Sequence, residues 1–318
     1  MKRFILLVVV MMMLAACVPP GEVFIAKSKE AMKAPTHKEA IEHYGKDSKI
    51  NVHSHKYYSG LADIHAYYGH YVEAVNAYTR AIRNSNKAIY HLKRGRAYMR
   101  LHIYRDAIID FSYVVQLRGK TLSIAYVERA KAHVEMGDFK SAISDLNKAK
   151  KRGGESVTLL VAMGELQYKM GKYADAKTYI QKAIQHESMN PELYYLRAKV
   201  FYKEKDAFQA IADLNKALEI DKGHLDAKRM LAWIYSTNTI STYRNGEIAL
   251  KFARELFEIN NDLEYVEVVA AAYAETGQFA KAIDVLKEGI IISTDLVQKE
   301  DFRFDILTYE KEENIRVW

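Results

Sequence analysis

The single thiol of this 318-residue sequence is Cys17, and the residues ahead of it decide what chemistry it can enter. Lys2 and Arg3 lead into an unbroken apolar run from Phe4 to Ala16, whose last residues Leu14, Ala15 and Ala16 directly precede the cysteine. A basic start, a short apolar stretch and small residues mark an export signal and its cleavage site. The run is too short to span a bilayer, which needs about 20 apolar residues on a helix, and Pro19, Pro20 and Gly21 are expected to stop a helix soon after it.

Two other clusters invite a chemical reading. His53, His55, His65 and His70 could be read as a metal cluster, but they lack thiolate or carboxylate company, and packed or solvated histidines are the better reading. Lys148, Lys150, Lys151 and Arg152 resemble a nucleic-acid patch, yet they stand just before Gly153 and Gly154, where cations suit the carbonyl end of a helix. The sequence has no glycine-rich phosphate loop, no His-Glu-x-x-His pair and no Gly-x-Ser-x-Gly elbow, so no catalytic constellation, metal or cofactor is assigned. Charge is lopsided: residues 247–318 carry a net −8 and residues 1–246 a net +15, which points to an anionic partner for the basic part. An exported chain does not meet nucleic acid, which leaves acidic proteins and lipid surfaces.

The elements that carry these residues follow from a periodicity. Ala40, Ala74, Ala107, Ala142, Ala176, Ala210, Ala249 and Ala282 recur at intervals of 33 to 39 residues. Four residues after each comes Tyr44, Tyr78, Phe111, Leu146, Ile180, Leu214, Ala253 or Leu286, and twelve before lie small residues such as Ala62, Gly95, Ala130, Gly164 and Ala198. Gly69, Gly137, Gly171 and Gly277 stand five before their alanines. Apolar spacings of three, four and seven within Tyr71, Ala74, Val75, Tyr78, Ala81 and Ile82 are helical. Each period therefore predicts two helices joined by a tight turn. Small residues let the pair approach, and the aromatic or leucine column fills the space beside the crossing.

These columns resemble the tetratricopeptide repeat, and Leu14-Ala15-Ala16-Cys17 resembles the lipobox of bacterial lipoproteins. The first resemblance implies an all-α, right-handed superhelical solenoid of antiparallel helix pairs with a concave inner surface. The second implies cleavage and acylation at Cys17; Val18 in place of an aspartate implies the outer membrane, facing the periplasm, in a two-membrane cell. The resulting layout is a signal peptide at 1–16, a tether at 17–35 and a degenerate half repeat at 36–54. Seven units follow over 55–293, starting near His55, Ala88, Ser123, Val157, Pro191, Leu225 and Leu263, the sixth with an insertion; a capping helix and tail occupy 294–318.

In the tetratricopeptide family the inner surface is lined from the first helix of each unit, one residue after the small column and four residues further on. Those columns read Asp63, Arg96, Lys131, Glu165, Lys199, Trp233 and Ala271, and Tyr67, Arg100, Glu135, Lys169, Lys203, Thr237 and Glu275, with Tyr168, Tyr195 and Tyr202 alongside. The expected partner site is thus Arg96, Arg100, Lys131, Tyr168, Tyr195, Lys199, Tyr202, Lys203 and Trp233, suited to an acidic extended or helical segment of another envelope protein. The resemblance implies a non-catalytic scaffold or assembly adaptor, the role of lipoproteins that pilot secretins, recruit peptidoglycan hydrolases or join outer-membrane assembly complexes. A carrier of glycan or lipid, or an accessory subunit of an envelope enzyme, is the alternative.

Overall fold

The computed structural model describes residues 20–45, 53–119, 121–259 and 263–317, and among these every extended regular element is helical. Two compact units divide the chain, the first ending at Glu155 and the second beginning at Ser156. Unit 1 contains α1 (Pro20–Ala31), α2 (His37–Gly45), α3 (His55–Tyr67), α4 (Tyr71–Asn84), α5 (Ala88–Arg100), α6 (Tyr104–Gln116), α7 (Leu122–Glu135) and α8 (Phe139–Gly153). Unit 2 contains α9 (Val157–Lys169), α10 (Tyr173–His186), α11 (Pro191–Lys203), α12 (Ala207–Ile220), α13 (Leu225–Thr237), α14 (Gly246–Ile259), α15 (Leu263–Glu275), α16 (Phe279–Ile292) and α17 (Leu296–Tyr309). A short 3₁₀ turn, Ser241–Tyr243, lies in the insertion between α13 and α14. None of these helices is long and apolar enough to cross a membrane.

The helices begin where a side chain can take up an orphan N–H. Ser54, Ser156 and Asn190 accept from Tyr57, Leu159 and Glu192, opening α3, α9 and α11, and Pro191 suits the first helical position. Within each pair the anchor alanines lie at the crossing, and all eight are fully buried, as are Phe111, Leu214 and Leu286 beside them. Burying a side chain of that size contributes about 1.5–3 kcal/mol. At Gly95 the approach is so close that a Cβ would stand 2.5 Å from the Phe111 ring.

The α1–α2 and α13–α14 connections do without a left-handed residue; in the other six of the eight helix pairs the turn holds one. Gly69, Gly137, Gly171 and Gly277 supply it with φ of 80°, 75°, 73° and 75°, but the same column holds His102 at 59° and Lys205 at 65°. The turn geometry thus survives where the residue type disfavours it.

A second repeating feature went unread in the sequence. Arg94, Arg129 and Arg197, each one residue before the small column, make two parallel bonds to Asp110, Asp145 and Asp213 at 2.6–2.8 Å. The third guanidinium arm reaches back to the preceding pair: Arg94 to Thr79 at 2.9 Å, Arg129 to Ser112 at 3.0 Å, and Arg197 to Gln181. Each arginine therefore ties three helices, α4–α6, α6–α8 and α10–α12 respectively. Burial alone would raise the Asp110 carboxyl, but bonds from Arg94 and His91 outweigh it and hold the group below its ordinary range. The legible signal was the 16-residue Arg-to-Asp spacing recurring at matching columns.

The N-terminal segment departs from the expected layout. Residues 20–31, read as part of a tether, form α1, so Pro20 and Gly21 open a helix instead of ending one. Ala31 packs with Ala40, Tyr44 and Ile64, and Tyr68 Oη donates to the Ala34 carbonyl at 2.6 Å. The small column twelve before Ala40 is held by Ser28, which is buried at 2% exposure; a serine where the other repeats carry alanine or glycine hid this helix. Cys17 and the export signal at 1–16 lie outside the described residues.

Candidate protein-interaction face

Each unit carries part of the face expected to meet a partner, and the two parts differ in chemistry. In unit 1, α3, α5 and α7 present Asp63, Arg96, Arg100 and Lys131. Asp63 accepts from the Tyr78 hydroxyl at 2.5 Å and from Lys93 at 2.7 Å, and burial with the Asp63 charge drives the Tyr78 hydroxyl far above its ordinary range. Arg96 is not an open cation: its guanidinium bonds Glu128 at 2.6–2.7 Å, with half of the arginine side chain and 14% of the glutamate exposed. Arg100 lies 5.3 Å over the Tyr71 ring. Between them Tyr71, Tyr78, Lys93, Arg96 and Arg100 line a cavity of about 180 Å³. The basic ladder of this unit is thus largely paired within the fold, a correction to the expected row of cations.

In unit 2 the cations meet rings. Lys199 on α11 lies 5.6 Å from the Tyr168 ring centre and 5.5 Å from that of Tyr195, and among the described residues its ammonium enters no ion pair. Such contacts contribute about 0.5–1 kcal/mol at exposed sites. Trp233 Nε1 on α13 donates to Tyr202 Oη at 3.2 Å, and burial raises the Tyr202 hydroxyl. Burial also raises Tyr168, whose ring lies tilted at 5.8 Å from that of Tyr173. Lys203 is exposed at the end of α11. Tyr195 does not belong to the face: it is 8% exposed and packs with Ala198, Leu214 and Leu231, so it supports Lys199 from beneath. The cavity under Lys199, bounded by Gly164, Tyr168 and Leu196, holds about 20 Å³. Ligand pockets run to about 300–1,000 Å³, so neither cavity suits an acyl chain or a sugar.

The four histidines read together are separated by the fold. His55 bonds Tyr90 Oη at 2.7 Å, while His65 and His70 converge on His37 of α2, which bonds His65 at 2.9 Å and stacks on His70 at 3.7 Å. Burial, with His37 next, pulls His65 down to about 4. Among the described residues no group of three or more side chains is arranged to hold a metal ion. The basic run closes α8 as expected, with Gly154 at φ 71° and Lys150 bonded to Glu155 at 2.6 Å.

Comparison with known proteins places this geometry in a fold. Residues 124–152 and 161–224 match models of the tetratricopeptide repeat. The structure is similar to yeast Tom70, with a TM-score of 0.68 at 14% identity over 93% of this chain and 65% of that one. It is similar to Cut9 in the APC/C hetero-tetramer with Hcn1, with a TM-score of 0.63 at 17% identity over 89% and 55% of the two chains. A tetratricopeptide repeat protein from Parabacteroides merdae gives 0.53 at 15% identity over 91% and 98%. In sequence, an N-terminal acetyltransferase A complex subunit-like protein of Schizosaccharomyces pombe is 31% identical over 93 residues, 28% of this chain and 13% of that protein. The chain thus spans 65% of Tom70, and its match covers about an eighth of the curated relative. These likenesses establish an all-α fold of stacked tetratricopeptide helix pairs.

Proposed function

We propose that this chain is a non-catalytic scaffold that binds other proteins, tethered by an acylated Cys17 to a membrane of the bacterial envelope, the outer membrane facing the periplasm. The observation that carries the binding role is Lys199 laid over Tyr168, with the buried Tyr195 supporting it from beneath, beside the Trp233–Tyr202 pair. Aromatic anchors with an unneutralised cation suit an acidic segment of a partner: the rings hold it by desolvated contact and the charge orients it. In unit 1 Arg96 supports the same role less directly, because an incoming carboxylate must compete with Glu128. The tether is supported by the residues that precede Cys17.

The test is crosslinking and recovery from envelope fractions, comparing wild type with Lys199→Glu/Trp233→Ala and with Cys17→Ala. The first variant is expected to keep membrane association and lose at least tenfold in partner recovery, since anchor truncations cost about 2 kcal/mol. The second is expected to stop incorporating labelled fatty acid and to leave the membrane pellet. Equal recovery by Lys199→Glu/Trp233→Ala overturns the face; unchanged acylation and fractionation of Cys17→Ala overturns the tether.

A further inference from the structure

After α17 the chain turns back across its own last repeats. Glu312 takes φ 56°, with its N–H donating to Tyr309 O at 2.9 Å, and the reversal directs residues 314–317 over α13 and α15. Val317 N donates to Thr237 O at 2.9 Å, and Val317 forms a parallel bridge with Asn238. Arg316 Nη1 donates to Ser236 O at 3.0 Å and lies 2.8 Å from Glu275 Oε2, while Arg244 holds Glu275 Oε1 at 3.0 Å. Ile315 packs against the cluster of Ala270, Ala274 and Leu286. Thr237 and Glu275 are the last two members of the inner-face column that includes Lys203, so the segment lies where that face ends.

This is how an extended peptide is held: backbone pairing gives affinity, and side chains in their own recesses give selectivity. A cap would cover the apolar end of the stack, but α17 already does so with Phe302 and Tyr309, which are 0% and 1% exposed. Residues 314–317 instead cover polar groups: the carbonyls of Ser236 and Thr237 and the Glu275 carboxylate. The fit is incomplete, because Asn238, 1% exposed beneath the segment, leaves its Nδ2 without a hydrogen-bond partner. An uncompensated buried donor is a cost that an occupant with a carbonyl at that point would remove.

We infer that the end of the inner face built from α13, α15 and Arg244 is a receptor for an extended protein segment bearing an apolar residue followed by arginine. Residues 314–317 are its internal occupant, displaced when a partner supplies a segment of the same chemistry. The net −8 of residues 247–318 favours such a basic-apolar segment over the acidic one assigned to Lys199 and Trp233. Tethering gives the internal segment an effective concentration in the millimolar range, so the site stays closed to weak competitors and opens to a partner already held elsewhere. The inference rests on the reading that the inner face receives protein segments, but it concerns different residues and can fail separately.

The probe is a fluorescent peptide of residues 314–318, which carries the apolar residue and arginine without the preceding glutamates, titrated into the full chain. Arg316→Ala is expected to free the site and bind the peptide at least tenfold more tightly than wild type, and Arg316→Ala/Glu275→Ala is expected to lose that gain. A peptide with its own arginine replaced by alanine is expected not to bind. In the wild-type chain, excess peptide is expected to speed hydrogen exchange at the Val317 amide without changing exchange in α15. If Arg316→Ala keeps wild-type helicity and wild-type peptide affinity, or binds independently of Glu275, the inference is overturned. If that variant instead unfolds α15–α17 and saturating peptide leaves Val317 protected in the wild type, the segment is a structural cap and the inference is likewise overturned. Partner recovery through Lys199 and Trp233 is read in the same variants: its persistence alongside a failed peptide test removes only the receptor, and its loss alongside a positive one removes only the earlier face.

Discussion

Replacing Arg129 with methionine strands the Asp145 carboxylate, which is 3% exposed and otherwise takes two guanidinium bonds at 2.6 and 2.8 Å. Removing one partner of a buried pair typically costs 3–5 kcal/mol, because the remaining charge is neither hydrated nor paired, whereas replacing both partners by apolar groups is often neutral. The protein holds its own control one repeat further on, where the equivalent positions are Met163 and Tyr179. There Met163 is buried and Tyr179 packs against the core around Ile180 and Leu196. Arg129→Met is therefore expected to destabilise unit 1 by about 3–4 kcal/mol, the lower part of the range because Lys148 stands 3.7 Å from Asp145 and partly compensates. Arg129→Met/Asp145→Tyr is expected to return within about 1 kcal/mol of wild type. Urea unfolding followed by far-ultraviolet circular dichroism reads both, and the single variant should lower the midpoint by about 1.5–2 M for a slope of about 2 kcal/mol per M. The reasoning is refuted if the single substitution costs under about 1 kcal/mol, or if the double variant is as unstable as the single.

Two further outcomes follow from the backbone and the ends of the chain. Lys205 holds the left-handed position at φ 65° that four glycines occupy elsewhere, so Lys205→Gly should stabilise unit 2 by about 0.5–1 kcal/mol, measured as a raised urea midpoint; a loss would show that the turn is not strained. The two termini should respond to pH in opposite directions, read by segment-resolved hydrogen exchange. His65 is held near 4 against an ordinary 6.5, so the unfolded chain protonates first and docking of α1 and α2 on α3 weakens as pH falls from about 6.5 to 4. Asp305 is pushed up to about 6 by burial and by Glu267 and Asp301, so the folded chain keeps a proton the unfolded one releases, and α17 packs less tightly as pH rises from about 4 to 6. Asp305→Asn should weaken the C-terminal trend, leaving the part carried by Glu267, which burial and Asp301 also raise, and the same direction of change at both ends would refute the assignment.

The repeat columns were readable because they answer local requirements. An alanine at every crossing, an aromatic or leucine four residues on, and glycine in most turns are each fixed by contacts within about 34 residues of chain, so periodicity alone exposes them. The helix pairs, their turns and the buried state of Ala74, Ala142 or Phe111 followed directly. What the inner face does chemically was decided elsewhere, by pairings between neighbouring repeats that a column cannot show. Arg96 looks like an open cation until Glu128, 32 residues later, is brought beside it, and Tyr195 looks like an anchor until Leu214 and Leu231 close over it. Lys199 keeps its place because two rings from different repeats converge on it. The helix at Pro20–Ala31 carries only a faint periodic signal, Ser28 in the small column, and the meeting of Arg316 with Ser236, 80 residues apart, carries none. Local sequence specifies which elements form, since each needs only its own turn and partner helix. Which charges are neutralised, which rings are exposed and where the tail comes to rest depend on long-range packing, because those energies arise only once distant segments share a surface.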